Sequence, residues 1–175
     1  MNFSIIAAID NNRGIGIGNK LPWHLKGDMN HYRAVTTTAE PGTTNAVIMG
    51  RTTWESLPEK YRPQPDRINV ILTRRRDMLV PDGVLVAGSL DEALDMLSSL
   101  GAGLGEVFVI GGASVYNEAI NHPSCQKVIL TEIDKEFDCD VFFPILDVAE
   151  FSLVSSSEPV LEAEISYRYC IYQKK

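Results

Sequence analysis

Residues 106–120 read E-V-F-V-I-G-G-A-S-V-Y-N-E-A-I. The first five are an apolar, β-branched and aromatic run, too short for a helix, which predicts a buried strand at 106–110. Gly111 and Gly112 follow at once, and A-S-V-Y-N-E-A-I then opens a helix. Paired glycines let backbone amides approach a pyrophosphate where a Cβ would obstruct it. The full G-x-G-x-x-G pattern is missing, so a standard Rossmann assignment is excluded. The same arrangement occurs earlier in the chain. N-A-V-I-M-G, residues 45–50, is a buried strand ending at Gly50, and Arg51-Thr52-Thr53-Trp54-Glu55-Ser56 begins a short helix that Pro58 stops. Strand, glycine, helix start is phosphate-binding geometry, because free N–H groups and the positive dipole end meet an anion there; Thr53 and Arg51 add donors.

Working outward, further strands are predicted at 3–9, 68–73, 84–87 and 127–133, with F-S-L-V-S-S and I-S-Y-R-Y-C-I-Y near the carboxyl end. Ser89 caps an amphipathic helix that Gly101 and Gly103 end. No helix separates the last two strands, so an antiparallel edge should close an otherwise parallel α/β sheet. The strand at 68–73 delivers the chain to Arg74-Arg75-Arg76. That run is either an anion site at a strand's carboxyl end or a solvated charge run.

L-P-W-H-L-K-G-D-M-N-H-Y-R-A-V-T, residues 21–36, follows G-I-G-I-G-N-K. Pro22 delays the helix to near Leu25. At about 100° per residue, Leu25, Met29, Tyr32, Val35 and Thr36 share one apolar arc, and Asp28 falls inside it. A buried carboxylate is costly unless it is paired or protonated. Asp28 is therefore either a binding-site acid or a cap at the water boundary. The loop carrying Gly14, Gly16 and Gly18 is either a lid over that acid or a surface connector.

The chain has 175 residues, 45% hydrophobic and 22% charged, which suits one soluble domain spanning 1–175. Its net charge of −7 argues against nucleic acid or an anionic membrane as the main partner. The amino terminus reads as a first strand rather than a signal peptide, and no run reaches transmembrane length. Cys125, Cys139 and Cys170 lack metal or disulfide spacing, which points to a reducing, cytoplasmic setting. His24, His31 and His122 are scattered and read as exposed or capping residues, with no metal site.

Taken together, I-I-A-A, G-x-x-N-K-L-P-W-H-L-x-x-D, V-I-M-G-R-x-T-W-E-S, R-I-N-V-I-L-T-R, V-I-G-G-A-S-V-Y, L-T-E-I-D and F-D-C-D-V-F-F-P occur in an order that resembles the dihydrofolate reductase family over essentially the whole chain. The resemblance implies a single α/β domain with an eight-stranded, mostly parallel sheet, an antiparallel carboxyl-terminal strand and helices on both faces. It implies NADPH-dependent reduction of 7,8-dihydrofolate to tetrahydrofolate, with hydride passing from nicotinamide C4 to pterin C6 and protonation at N5. That reaction supports one-carbon metabolism and thymidylate synthesis. A related pterin or pyrimidine reductase would keep the glycine turns but lack Asp28, Thr131 and Arg67; an idle dinucleotide-binding domain would bind NADPH without turnover.

Carried over by position, the resemblance makes Asp28 the acid that holds the pterin ring and Thr131 its support. Trp23 anchors an ordered water nearby, water admitted by the loop at 16–21 delivers the N5 proton, and Tyr116 lies near the nicotinamide. Ile6, Ala7, Met29, Tyr32 and Ile110 wall the pterin and nicotinamide, and Arg67 holds the substrate's tail carboxylate. Ala8, Ile15, Gly16, Asn19 and Leu21 face the cofactor. Gly50, Arg51, Thr52, Thr53 and the turn Gly111, Gly112, Ala113, Ser114, Val115 and Tyr116 bind its phosphates. Arg51, Thr73, Arg74 and Arg75 lie near the adenosine 2′-phosphate, favouring NADPH over NADH. Asp140 latches the glycine loop by bonding backbone near Gly16. The implied partners are dihydrofolate and antifolate small molecules, and the implied state is a monomer. Tyr32, Gln64 and Cys139 depart from the common phenylalanine, leucine and glycine, which bears on affinity and antifolate sensitivity.

Overall fold

The computed structural model describes residues 1–75 and 77–175, so Arg76 of the arginine run lies outside the described residues. Strand β1 (Phe3–Ile9) starts the main sheet, and β2 (Gly14–Gly16) follows it. Helix α1 (Lys26–Thr37), β3 (Thr44–Gly50), α2 (Arg51–Ser56), β4 (Ile68–Leu72) and β5 (Leu85–Ala87) come next. The chain continues through α3 (Leu90–Ser98), β6 (Leu104–Val109), α4 (Ala113–Ile120) and β7 (Cys125–Ile133). It ends with β8 (Val141–Phe142), β9 (Phe151–Ser156), β10 (Val160–Glu162) and β11 (Ile165–Lys174).

The order across the main sheet is β10-β11-β7-β1-β6-β3-β4-β5, with β9 also on β11. Neighbours from β7 to β5 run parallel, whereas β11 is antiparallel to β7, β9 and β10. The chain moves outward from β1 to β5, returns with β6 into the gap beside β1, and then crosses to β7 on the other side. That reversal opens a crevice at the carboxyl ends of the central strands.

Alternation in the strands sorts the core onto two faces. Ile5, Ile48, Val70 and Val109 join Leu90, Leu94 and Leu97 of α3 and Val115, Ala119 and Ile120 of α4. Ile6, Val47, Met49, Ile71 and Phe108 pack on the other face with Trp54 of α2 and with Tyr32 and Val35 of α1. Helices therefore cover both faces, as a parallel sheet requires.

Two features correct the sequence reading. Among the described residues the main sheet has nine strands rather than eight. Strand β11 is long enough to pair with β10 near its start, Glu162 opposite Ile165, and with β9 near its end, Lys174 opposite Phe151. The turn between β10 and β11 passes through Ala163 and Glu164, at φ of 50° and 63°. Hairpin turns of that hand normally announce themselves with Asn or Gly, and Ala-Glu carries no such signal. The second correction concerns the glycine loop. Gly14 and Gly16 pair with Phe142 and Val141, forming a small sheet of β2 and β8 from two segments read as loops.

Smaller differences lie at boundaries. Leu25 is the N-cap of α1, and the helix starts at Lys26. Ser89 caps α3 as expected, accepting from the Glu92 amide at 3.1 Å. His24 is exposed and His122 bonds Asp91 at 3.0 Å. His31 is neither exposed nor a cap: half-buried, it stacks on Tyr169 with ring centroids 3.7 Å apart.

Candidate active-site cleft

The crevice is a cleft of about 900 Å³. One wall comes from β1 and the loop after it, through Ile6, Ala7, Ala8, Ile15, Gly16, Asn19 and Leu21. Helix α1 contributes Asp28, Met29 and Tyr32, and β7 contributes Thr131. The first strand–glycine–helix junction supplies Gly50, Arg51, Thr52 and Thr53; Thr73, Arg74 and Arg75 follow β4. Ile110, Gly111, Gly112, Ala113, Ser114, Val115 and Tyr116 complete it from the second junction. Residues far apart in sequence are thus gathered along one groove.

Two expected residues lie outside that lining. Trp23 lines an adjoining recess of about 400 Å³ together with Asp28, Leu21 and Met29. Its indole Nε1 is buried with no protein partner. Arg67 does not line the cleft: it sits behind Tyr32, donating from Nη1 to Thr36 Oγ1 and from Nε to Pro65 O, both at 2.9 Å. Its guanidinium lies 5.7 Å from the Tyr32 ring centroid.

At the cleft floor, Asp28 is 7% exposed and Thr131 4%. The Thr131 hydroxyl donates to Asp28 Oδ1 at 2.6 Å. Burial lifts the Asp28 carboxyl above the ordinary aspartate range; the Thr131 bond opposes the lift, and the charge of Glu162 adds to it. Tyr116, buried, donates to the carbonyl of Ile6 at 2.9 Å, and burial pushes its phenol far up. Both groups are held ready to make directional contacts without competing bulk water.

The two glycine junctions meet each other. The Gly50 amide donates to Gly111 O at 2.8 Å. A Cβ on Gly111 or Gly112 would fall 3.1 or 3.2 Å from Thr53 Oγ1, so a side chain there would crowd the groove where α2 and α4 begin. Nearby, the Arg75 amide donates to Thr73 Oγ1 at 3.1 Å, and Arg51 pairs with Glu55 at 2.7 Å. Glycine-floored backbone, two helix starts and exposed arginines form a groove suited to an elongated polyphosphate. The glycine loop closes one side. Asp140 donates its amide to Gly16 O at 2.9 Å and accepts from the Gly18 amide at 3.0 Å.

Several lining residues escaped sequence reasoning. His31, Ser56, Leu57, Leu72, Ser89, Glu118 and Val141 all face the cleft. Ser89 carried a complete local explanation as a helix cap, and Val141 lay in a segment read as a loop. Gln64 also lines the cleft, 5% exposed, accepting from the Tyr32 hydroxyl at 2.7 Å. Burial raises the Tyr32 phenol while nearby Arg67 lowers it.

Comparison with known proteins places this arrangement. Residues 2–174 match the family model described as Dihydrofolate reductase. The dihydrofolate reductase of Heliothis virescens is 43% identical, covering 99% of this chain and 98% of that protein. The bifunctional dihydrofolate reductase-thymidylate synthase of Daucus carota is also 43% identical, and there the chain spans 33% of the longer protein. The solved structure of Schistosoma mansoni dihydrofolate reductase superposes with a TM-score of 0.87 at 36% identity, covering 100% of this chain and 99% of that one.

Proposed function

This chain belongs to the dihydrofolate reductase family and reduces dihydrofolate; from that premise we propose that NADPH is its hydride donor and that Asp28 is the group on which the pterin is held. The whole chain acts as one catalytic domain, a cytoplasmic monomer whose cleft also admits antifolates. The observation that carries the reading is the buried Asp28–Thr131 pair at the floor of a cleft whose other end is phosphate-binding geometry.

The residues present fit a reduced dinucleotide. Gly111 and Gly112 leave room against Thr53 that a Cβ would fill, the starts of α2 and α4 offer free amides, and Arg74 and Arg75 supply guanidinium donors for a 2′-phosphate. When bound, NADPH supplies the hydride. Everything else is done by the protein. Asp28 accepts from the pterin's 2-amino group and neighbouring ring nitrogen, and Thr131 holds the carboxylate in place. An anion in a site closed to bulk water favours the cationic, N5-protonated pterin, which is the better hydride acceptor. The proton arrives through a water held by Trp23 Nε1, a buried donor that no atom among the described residues satisfies.

Ile6, Ala7, Met29, Tyr32 and Ile110 flank the pterin, and Tyr116 orients the nicotinamide edge. Ala8, Ile15, Gly16, Asn19 and Leu21 cover the cofactor. Arg67 serves the tail carboxylate from behind Tyr32, with donors left over beyond its bonds to Thr36 and Pro65. Two measurements test the reading together. Dihydrofolate should drive oxidation of NADPH in preference to NADH, and NADPH should quench the intrinsic tryptophan fluorescence in the absence of folate. Quenching without folate-dependent oxidation would leave a binding domain and refute the assignment of Asp28.

A further inference from the structure

Helix α1 carries Asp28 but has no cap of its own. Leu25 at its N-cap offers no side-chain acceptor, so the amides of the first turn must be met from elsewhere. Glu162 meets them. From the end of β10, 135 residues along from Gly27, it accepts at Oε1 from the Gly27 amide at 2.9 Å and at Oε2 from the Lys26 amide at 2.6 Å. Tyr167, 1% exposed on β11, donates its hydroxyl to the same Oε1 at 2.9 Å. Gly27 is what admits the pair: a Cβ there would collide with Tyr167 Oη and come 2.9 Å from Glu162 Oε1. The other end of α1 is also held from outside, since Asn45 Nδ2 donates to the carbonyls of Thr36 and Thr38 at 3.2 and 2.8 Å.

We propose that Glu162 is a positioning residue for Asp28, docking the first turn of α1 onto the β10–β11 hairpin so that the carboxylate meets Thr131 at the cleft floor. The proposal rests on the reading of Asp28 given above. The docked amides belong to the two residues directly before Asp28, so any slack in the dock is passed to its backbone. The carboxylate also complements the positive end of α1. Its bond from the Gly27 amide holds the Glu162 carboxyl below the ordinary range, so it stands ionised beside Asp28.

The groups acting on Asp28 come from three strands. Thr131 on β7 favours its ionised form, Glu162 on β10 opposes it, and Tyr169 on β11 stands close enough to feel its charge. Tyr169 donates to Gly27 O at 3.3 Å and stacks on His31, whose imidazole burial pushes below the ordinary histidine range, while His24 acts on Glu162 with the opposite sign. Removing the Glu162 charge therefore shifts the Asp28 titration to lower pH.

The test compares Glu162→Ala and Glu162→Gln with the native chain and with Asp28→Asn. Thermal stability, NADPH dissociation constant, dihydrofolate KM and kcat across pH are measured, and the Asp28 carboxyl is titrated by carbon-13 NMR in ligand-free protein. Glu162→Ala should raise the dihydrofolate KM about tenfold, a loss in the range that misplacement of a binding group produces. Glu162→Gln, keeping one acceptor for the dock, should raise it less. NADPH binding should stay native in both, and the Asp28 carboxyl should titrate at lower pH in Glu162→Gln, which removes the charge and keeps the dock. Loss of thermal stability with native KM and native Asp28 titration would reduce Glu162 to a helix cap and overturn the proposal. Should Glu162→Ala fail to fold, Glu162→Gln and Gly27→Ala decide, the latter by forcing Tyr167 and Glu162 off the helix and reproducing the rise in KM. Native turnover in Asp28→Asn would sink the reading of Asp28 instead, while the NMR titration still reports whether Glu162 acts on that carboxyl.

Discussion

At the scale of single residues, the buried carboxyl of Asp28 costs stability at neutral pH. Its folded pKa is raised by burial, so the folded state holds the proton more tightly than the unfolded chain does. The contribution to stability is complete below the unfolded pKa and is lost as pH rises through the folded pKa. Asp28→Asn should accordingly melt higher than the native chain at neutral pH, with the advantage vanishing in acid, and should lose about a hundredfold in turnover at pH 7. Melting curves and steady-state rates across pH check both halves; an equal melting advantage in acid would show that charge is not the cause. Asp28 was legible because helical periodicity placed one carboxylate in an apolar arc. The partner of Tyr32 was not. That hydroxyl plainly needed one, but nothing local to residue 32 points to Gln64, which is fixed by its own backbone exchanges with Asn69 at 2.9 Å. Gln64→Leu should cost about 1 kcal/mol by removing the acceptor of the buried hydroxyl, and adding Tyr32→Phe should recover part of it. Chemical denaturation of the two singles and the double measures that coupling, and additive losses would mean that the bond carries none of the cost.

At the scale of elements, regular segments were read from apolar runs, caps and glycines, because those signals are local. What escaped was pairing decided by a distant partner. Gly14 and Gly16 form β2 only because residues 141–142 lie alongside, and β10 joins β11 through a turn whose Ala163 and Glu164 give no warning. The same distant pairing ties the glycine loop down along the cleft rather than leaving it free. Asp140 ties it at two points, to Gly16 and Gly18, and the Gly18 bond is exposed. Asp140→Ala removes the bond from Gly18 but keeps the backbone bond to Gly16. The expected result is a small change in melting temperature, NADPH binding weakened several-fold, and faster proteolytic cleavage within residues 17–21. Unchanged cleavage with weakened NADPH would mean that Asp140 acts by some route other than holding the loop.

At the scale of the molecule, an acidic chain must attract a polyanionic cofactor. The net charge of −7 repels it over distance, while exposed Arg74 and Arg75 attract it at one end of the cleft. The two effects have different ranges. The Debye length falls from about 30 Å at 0.01 M salt to about 10 Å at 0.1 M, so long-range repulsion is screened first, and the exposed guanidiniums lose strength too because they are not buried. NADPH and NADH share the repulsion nearly equally, but only NADPH carries the 2′-phosphate to which the proposed function assigns Arg74 and Arg75. Raising salt over that interval should therefore narrow the ratio of their affinities, with NADH changing little and NADPH weakening. Arg74→Ala should narrow the ratio at low salt and leave less salt dependence behind. Fluorescence titrations of both cofactors at the two salt concentrations measure this. A ratio that stays constant with salt, in native chain and variant alike, would move the discrimination away from the exposed arginines to a buried contact that salt does not reach.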